Sequence, residues 1–315
     1  MNSNALTLAQ SALALDEVRQ LIGALDIAAA LSLEGLRGEP GAWSEAVDRA
    51  HPQPGQVVIG RHLRALLAGS RLLQLGQSRF LQDPLSFRCV PQIHGAAHAA
   101  LAWARSIVTT ELNAAVDNPA VDLDASTIVS HGNMDTTLVA LALDTMRLGL
   151  AKMLQASGER IHKLQWPSFS GLPTGLAEAP GAIGGVQFLN LAHIAAAKIA
   201  TASIAAGPTS IHYHGQLCDG VEDVGGLAPH AAEATERLLE SAWTVATVEM
   251  AVASWAVLRR NLPAEEIGAG LREIFAQIAD LLPRGREGER PFDLGPIQDA
   301  VRAYASRTSI SPDGI

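Results

Sequence analysis

Residues 6–36 read LTLAQSALALDEVRQLIGALDIAAALSLEGL, and this stretch decides the fold class. Its apolar residues recur at helical intervals, as at Leu21, Ile22 and Leu25. Asn2, Ser3 or Asn4 can cap its start, and Gly38-Glu39-Pro40-Gly41 ends it. Working outward, a shorter helix follows, then the turn His51-Pro52-Gln53-Pro54-Gly55. Helical patterns then cover roughly Ile59–Leu75, Ile93–Leu112, Leu138–Leu164, Gly184–Ala205, Ala231–Arg260 and Ala264–Leu282. Aromatic residues are only 4% of the chain, while Ala and Leu are plentiful, which favours helix over strand. Between the helices lie segments rich in Pro, Gly and Asp at 77–92, 113–137, 165–182 and 206–229. Long helices joined by chemically loaded loops are the layout of a helical bundle whose loops carry a site. Residues 1–305 are expected to form a single all-α domain, and 306–315 a frayed tail.

The composition narrows the function classes. With 48% hydrophobic and 17% charged residues, the chain is a folded globular protein. A net charge of −9, with no cluster of Lys and Arg, argues against nucleic acid as a partner. Two cysteines, Cys89 and Cys218, are too few for a disulfide framework and suggest a reducing compartment. Met1–Gln10 lacks the basic region of a signal peptide. The most apolar stretches, Gly181–Gly207 and Ala242–Leu258, carry His193, Lys198 and Glu249. Core helices tolerate such groups when they are paired, whereas a bilayer penalises them. The expectation is a cytoplasmic protein without a membrane partner.

Five loop segments hold the candidate chemistry. In Gln82-Asp83-Pro84-Leu85-Ser86-Phe87-Arg88-Cys89-Val90-Pro91-Gln92, two prolines stiffen the loop. Arg88 offers a planar fork suited to a carboxylate, although it could instead tie its own loop to Asp83. Glu111–Pro119 reads as a helix end followed by a turn. In Ser130–Asp135, Asp135 can cap the next helix and leave Asn133 free for a ligand. Ser170-Gly171-Leu172-Pro173 is a turn. Val221-Glu222-Asp223-Val224-Gly225-Gly226 sets two carboxylates side by side, for acid–base or ammonium-binding chemistry or for a cap. His212 and His214 lack a third ligand at a recognisable spacing, so no metal is expected. A phosphate-binding glycine loop and a nucleophile elbow are both missing from the sequence.

The order and wording of these segments resemble the histidine and phenylalanine ammonia-lyase family, from the first residues to about Val301. Gln82–Gln92 is similar to the family's Gln-Asp-Pro-Tyr-Ser-Leu-Arg-Cys-x-Pro-Gln signature, and Glu111–Pro119 to its Glu-x-Asn-x-x-x-Asp-Asn-Pro. Gly132-Asn133-Met134 stands where the family writes Gly-Asn-Phe. Glu159-Arg160-Ile161 followed by Ser170–Pro173 matches another stretch, and Val221-Glu222-Asp223 corresponds to Gln-Glu-Asp. Asn2-Ser3-Asn4 matches the Asn-Gly-Thr that opens the family's central helix.

The resemblance implies an all-α fold like that of fumarase and aspartase, a tetrameric bundle, and sites that collect residues from several chains. It implies elimination of ammonia from an α-amino acid. In that family an Ala-Ser-Gly tripeptide cyclises to a methylidene-imidazolone (MIO), and a tyrosine on an N-terminal loop removes the β proton. Both features lie upstream of the family segment that this sequence resembles. Ala156-Ser157-Gly158 is present, but Glu159-Arg160-Ile161 follows where the family's electrophile is followed by Asp-Leu-x-Pro. It also falls within a predicted helix, whose hydrogen bonds keep the cyclising atoms apart.

Four readings follow. The chain is one subunit of a two-chain lyase, with a smaller N-terminal partner supplying the MIO and the tyrosine in a hetero-oligomer on a tetrameric core. Alternatively it is a non-catalytic assembly or regulatory homologue, a cofactor-free fumarase-like lyase, or a fragment of a longer protein; aminomutase chemistry is also open. The start at Met1 just before a helix, with the site loops retained, favours the first. By resemblance, Arg88 binds the substrate carboxylate, Asn2 and Asn133 hydrogen-bond the carboxylate or the electrophile, and Gln82 orients the electrophile or its loop. Glu222 faces the substrate side chain or amine. Glu at that position marks the family's histidine-specific members. Leu85 replaces the family's tyrosine and Met134 its phenylalanine, while Asp135, Val221 and Val224 depart as well. These changes point to an unusual substrate or altered chemistry.

Overall fold

The structure, a computed structural model, describes residues 3–177, 185–282 and 293–308. Helix α1 spans Ala5–Leu36 and stops at Arg37, which turns into the left-handed region at φ 59°. Asn4 occupies the cap position, and Ser3 Oγ accepts the Ala5 N–H at 3.1 Å. From Leu21 to Leu36 every residue is buried, so α1 is enclosed over its second half. That explains its weak amphipathicity, since a helix surrounded by others has no polar face.

The short α2 (Glu45–Ala50) leads to α3 (Pro54–Leu66), a single turn α4 (Leu85–Arg88) and the long α5 (Val90–Leu112). A two-stranded antiparallel ribbon follows, β1 (Ala120–Asp122) with β2 (Thr127–Val129), pairing Val121 with Ile128. Then come α6 (Thr137–Gln165), the turn α7 (Pro167–Ser170), α8 (Gly185–Ala205), α9 (Ala228–Arg259), α10 (Arg272–Leu281) and α11 (Gly295–Thr308). Helix α9 packs against α1, α6 and α8, while α5 bridges α1, α3 and α6. Glycines set the closest crossings. A Cβ on Gly35 would lie 2.9 Å from Ala256 Cβ, and one on Gly55 would lie 2.1 Å from the Gly95 carbonyl oxygen. Such approaches let the helix backbones meet without an intervening side chain.

The all-α expectation holds, with differences at some bounds. The helix expected over Ile59–Leu75 begins at Pro54 and ends at Leu66, because Gly69 takes φ +74° and Ser70 caps a separate 3-10 turn at Arg71–Leu73. The one expected from Ala264 begins at Arg272, after two 3-10 turns. Gly268 lies between them, and a Cβ there would come within 2.2 Å of the Leu66 carbonyl oxygen. Helix α11 continues through Thr308, so Ser306–Thr308 are helical rather than frayed; 309–315 lie outside the described residues.

By length and hydropathy α8 and α9 could each cross a bilayer. The α9 window is 89% buried within the protein, as a core helix should be. The α8 window is only 28% buried, so the core reading fails there, and α8 leaves Ile194 and Ile204 uncovered.

Candidate active site

The loop segments singled out in the sequence fall at the two ends of α6. At its start, the Asn4 side chain donates to the Met134 carbonyl at 2.9 Å, so α1 and α6 begin together. Near its end, Arg160 shares Glu249 with Ser32 of α1. From Thr137, the first residue of α6, to Arg160 is 23 residues, about 35 Å at 1.5 Å per residue.

The first end gathers three segments. His131 N–H donates to Asn118 Oδ1 at 2.9 Å, which ties Glu111–Pro119 to Ser130–Asp135 across a cis Asn118–Pro119 bond. Thr136 holds the cap position of α6, and Asp135, expected there, sits one residue earlier and accepts the Thr137 N–H at 2.9 Å; Asn133 and Met134 are exposed. The segment carrying Glu222 arrives beside them, since a Cβ on Gly226 would meet Thr137 N at 2.3 Å. Leu217 and Glu222 pair through their backbones, at 2.9 and 3.2 Å. The Glu222 carboxylate faces the exposed Cys218 thiol, and its charge pushes that thiol's pKa up. Asn2 lies outside the described residues.

The other end holds Gln82–Gln92 and Ser170–Pro173. Gln82 is exposed, and so is Leu85 at 62%, so the residue standing in the tyrosine position faces outward in this chain. Arg88 makes no hydrogen bond or ion pair with Asp83 among the described residues, although its charge opposes the upward shift of the Asp83 carboxyl. Burial pushes the Asp83 carboxyl up, and its Oδ2 accepts the Glu39 N–H at 2.5 Å. Arg88 is half-buried, and its Nε is buried with no hydrogen-bond partner among the described residues. A buried unpaired guanidinium N–H is costly, and an incoming carboxylate would relieve it.

Sequence reasoning missed what holds Arg88. The fully buried Trp43 donates Nε1–H to the Phe87 carbonyl at 2.9 Å. Arg160, also fully buried, donates to the Ser86 carbonyl at 3.1 Å. Two consecutive carbonyls of α4 are thus clamped directly before Arg88. Arg160 is itself fixed by a forked pair with Glu249, Nε at 2.5 Å and Nη2 at 2.9 Å, and Ser32 Oγ donates to the same carboxylate at 2.8 Å. Glu249 interrupting an apolar run was the available signal, because a buried carboxylate requires a partner. Close by, Asp26 Oδ1 lies 2.6 Å from His94 Nδ1, both buried. Burial drives the Asp26 pKa well up and the His94 pKa well down.

Ala156-Ser157-Gly158 lies inside α6, with Ser157 fully buried. Among the described residues no three His, Cys, Asp or Glu side chains gather as a metal site.

A family model described as aromatic amino acid lyase matches residues 1–280. A histidine ammonia-lyase of Anaeromyxobacter sp. (strain K) is 36% identical over 288 residues, covering 90% of this chain and 55% of the relative. Among solved structures, ergothionase from Treponema denticola superposes with a TM-score of 0.89 at 26% identity, covering 96% of this chain and 60% of that one. Histidine ammonia-lyase from Trypanosoma cruzi gives 0.83 at 26% identity, covering 97% and 56%. The chain therefore spans little more than half the length of the relatives it matches.

Proposed function

The chain belongs to the aromatic amino acid lyase family, and from that premise we propose that it serves as the C-terminal subunit of a two-chain ammonia-lyase acting on histidine or a related α-amino acid. The observation that carries this reading is Arg88, whose buried Nε lacks a partner among the described residues while Trp43 and Arg160 clamp the turn before it. A guanidinium held in place with a donor to spare is the arrangement that grips an α-carboxylate and orients the neighbouring carbon.

Glu222 would face the substrate's amine or side chain, with Asn133 and Met134 beside it, all from the opposite end of the bundle. Both halves of such a site are present on one chain yet about 35 Å apart, so completing it calls for further copies. The exposed stripe Leu138, Leu141 and Leu148 on α6 and the uncovered Ile194 and Ile204 on α8 supply apolar surface for that assembly. The spare Arg88 donor at one end and the Glu222 carboxylate at the other suit an amino acid whose amine is captured by an electrophile. The MIO would supply that chemistry, converting the amino group into a good leaving group. Ala156-Ser157-Gly158 is a poor source for it, because helix hydrogen bonds hold its backbone straight. The proposal therefore assigns the MIO and the base tyrosine to a partner chain, in a cytoplasmic hetero-oligomer without membrane or nucleic acid.

Purification of the protein from its host tests this directly. A stoichiometric smaller partner bearing an Ala-Ser-Gly loop, with ammonia release from histidine only when both chains are present, is the expected result. Arg88→Ala in that complex should lower turnover by about two to three orders of magnitude, the loss of one charged two-point contact, with assembly intact. Turnover unchanged by Arg88→Ala would sink the site assignment. Full activity from a single longer polypeptide would sink the two-chain reading.

A further inference from the structure

Where α1 and α9 end, arginines surround a cavity of about 270 Å³ whose wall includes Arg37, Arg71, Arg260, Glu34, Gln77 and Leu262. Three of the guanidiniums are fixed by specific bonds. Arg37 donates Nε and Nη2 to the Gln77 carbonyl, at 3.1 and 2.8 Å. Arg260 donates Nε to the Gly35 carbonyl at 2.6 Å, and Nη2 to those of Leu36 and Ser170 at 3.1 and 2.6 Å. Arg71 donates Nε to Gln77 Oε1 at 3.0 Å and Nη1 to Glu266 at 2.8 Å.

After these bonds, Arg37 Nη1, Arg71 Nη2 and Arg260 Nη1 have no acceptor among the described residues. The negative charge nearby is spent elsewhere. Glu266 is engaged by Arg71, while Glu34 is buried, accepts the Gly268 N–H at 2.9 Å, and has its pKa raised by burial. Burial together with the neighbouring Arg79 and Arg37 cations lowers the Arg260 pKa to about 10, a mark of crowded positive charge.

Capping of the α1 carbonyls accounts for Arg260 alone. It does not account for Arg37 and Arg71 lining the same cavity, each with a donor left over. Preset planar forks with N–H groups left over are the feature that selects phosphate and carboxylate groups. We propose that this cavity binds a small polyvalent oxyanion, a phosphate or a dicarboxylate, held by Arg37, Arg71 and Arg260. Arg37 and Arg71 also hold Gln77, and the chain runs from there to Gln82 and Arg88, so an occupant stiffens the segment that leads to the Arg88 loop. The binding itself does not depend on the lyase reading.

The test uses the full 315-residue chain, titrated separately with inorganic phosphate and with succinate, ionic strength being matched throughout with sodium chloride. Calorimetry and thermal unfolding are the readouts. The expected result is saturable binding and a raised unfolding temperature with at least one probe. Phosphate alone identifies a phosphate site, succinate alone a dicarboxylate site, and both a general oxyanion site. R71Q and R37Q should each weaken binding about tenfold or more, the loss of one charged fork. Arg71 is exposed and among the described residues pairs with Gln77 and Glu266 alone, so R71Q keeps the core intact. Absence of saturable binding by either probe beyond the chloride control overturns the proposal, as does unweakened binding in both variants.

Discussion

Replacing Glu249 with Leu should damage the protein as much as a large cavity cut into the core, although it adds apolar character. The carboxylate is fully buried on α9 and takes two bonds from the equally buried Arg160 and one from Ser32. Glu249→Leu leaves the Arg160 cation without a counter-charge in the core, a change that costs about 3–5 kcal/mol. Unfolding entropy near 2.1 cal/mol/K per residue gives about 0.66 kcal/mol/K for 315 residues, so the unfolding temperature should fall by about 5–8 °C. The double variant Arg160→Met with Glu249→Leu removes the stranded charge and should recover most of that loss. A deficit of about 1 kcal/mol remains for the Ser86 carbonyl, which loses its donor. Urea unfolding followed by circular dichroism, with the m-value compared across variants, measures all three proteins. A cost below about 1 kcal/mol for Glu249→Leu, or a double variant no better than the single one, would refute the claim that the pair is a buried charge balance.

The His62 imidazole is lowered to about 4 by burial and by its neighbour His98, against an ordinary 6.5. The unfolded chain therefore takes up a proton below pH 6.5 that the native state refuses until about pH 4, and stability falls with pH across that window at up to about 1.4 kcal/mol per unit. His62→Leu should remove this slope. The difference between wild type and variant is the readout, because the lowered pKa values of His94 and His98 act in the same sense and the raised values of Asp26, Glu34 and Asp83 in the opposite one. In Gly95→Ala the new Cβ meets Gln56 N at 2.5 Å, so α3 and α5 must part; a loss of about 1–3 kcal/mol in chemical unfolding is expected despite alanine's better helix propensity. Trp43→Phe removes the donor to the Phe87 carbonyl and should cost about 1–2 kcal/mol, with faster hydrogen exchange of the Arg88 and Cys89 amides, whose bonds close α4.

Much of the architecture could be read from residue spacing. The bounds of α1, α5, α6, α8 and α9 agree with the helical patterns to within a few residues, since long runs rich in Ala and Leu are bounded there by loops rich in Pro, Gly and Asp. What escaped was short or governed by tertiary contact. The β1–β2 ribbon has three residues per strand, and α11 begins behind an Asp293 side chain that accepts the Gly295 N–H at 2.9 Å. The start of α10 is set by glycines pressed against Leu66, a contact that no local pattern encodes. The site was legible as a series of loops and illegible as an arrangement. Arg88 and Glu222 are both conspicuous in the sequence, yet nothing there says they lie at opposite ends of α6. Arg160 and Trp43 looked like ordinary helix and turn residues, because their role depends on a carbonyl supplied from another part of the chain.

The separation along α6 has a genetic consequence. In the proposed assembly each active centre draws its Arg88 half and its Glu222 half from different copies. A chain damaged at one end still brings a sound opposite end to its neighbour. Two populations, one carrying Arg88→Ala and the other Glu222→Gln, each silent by itself, should therefore regain measurable turnover when dissociated together and reassembled. Some centres in the mixture would unite two intact halves, while others would collect both defects. A copy damaged at one end spoils only the centre that receives that end, so neither variant should act as a dominant negative among sound copies.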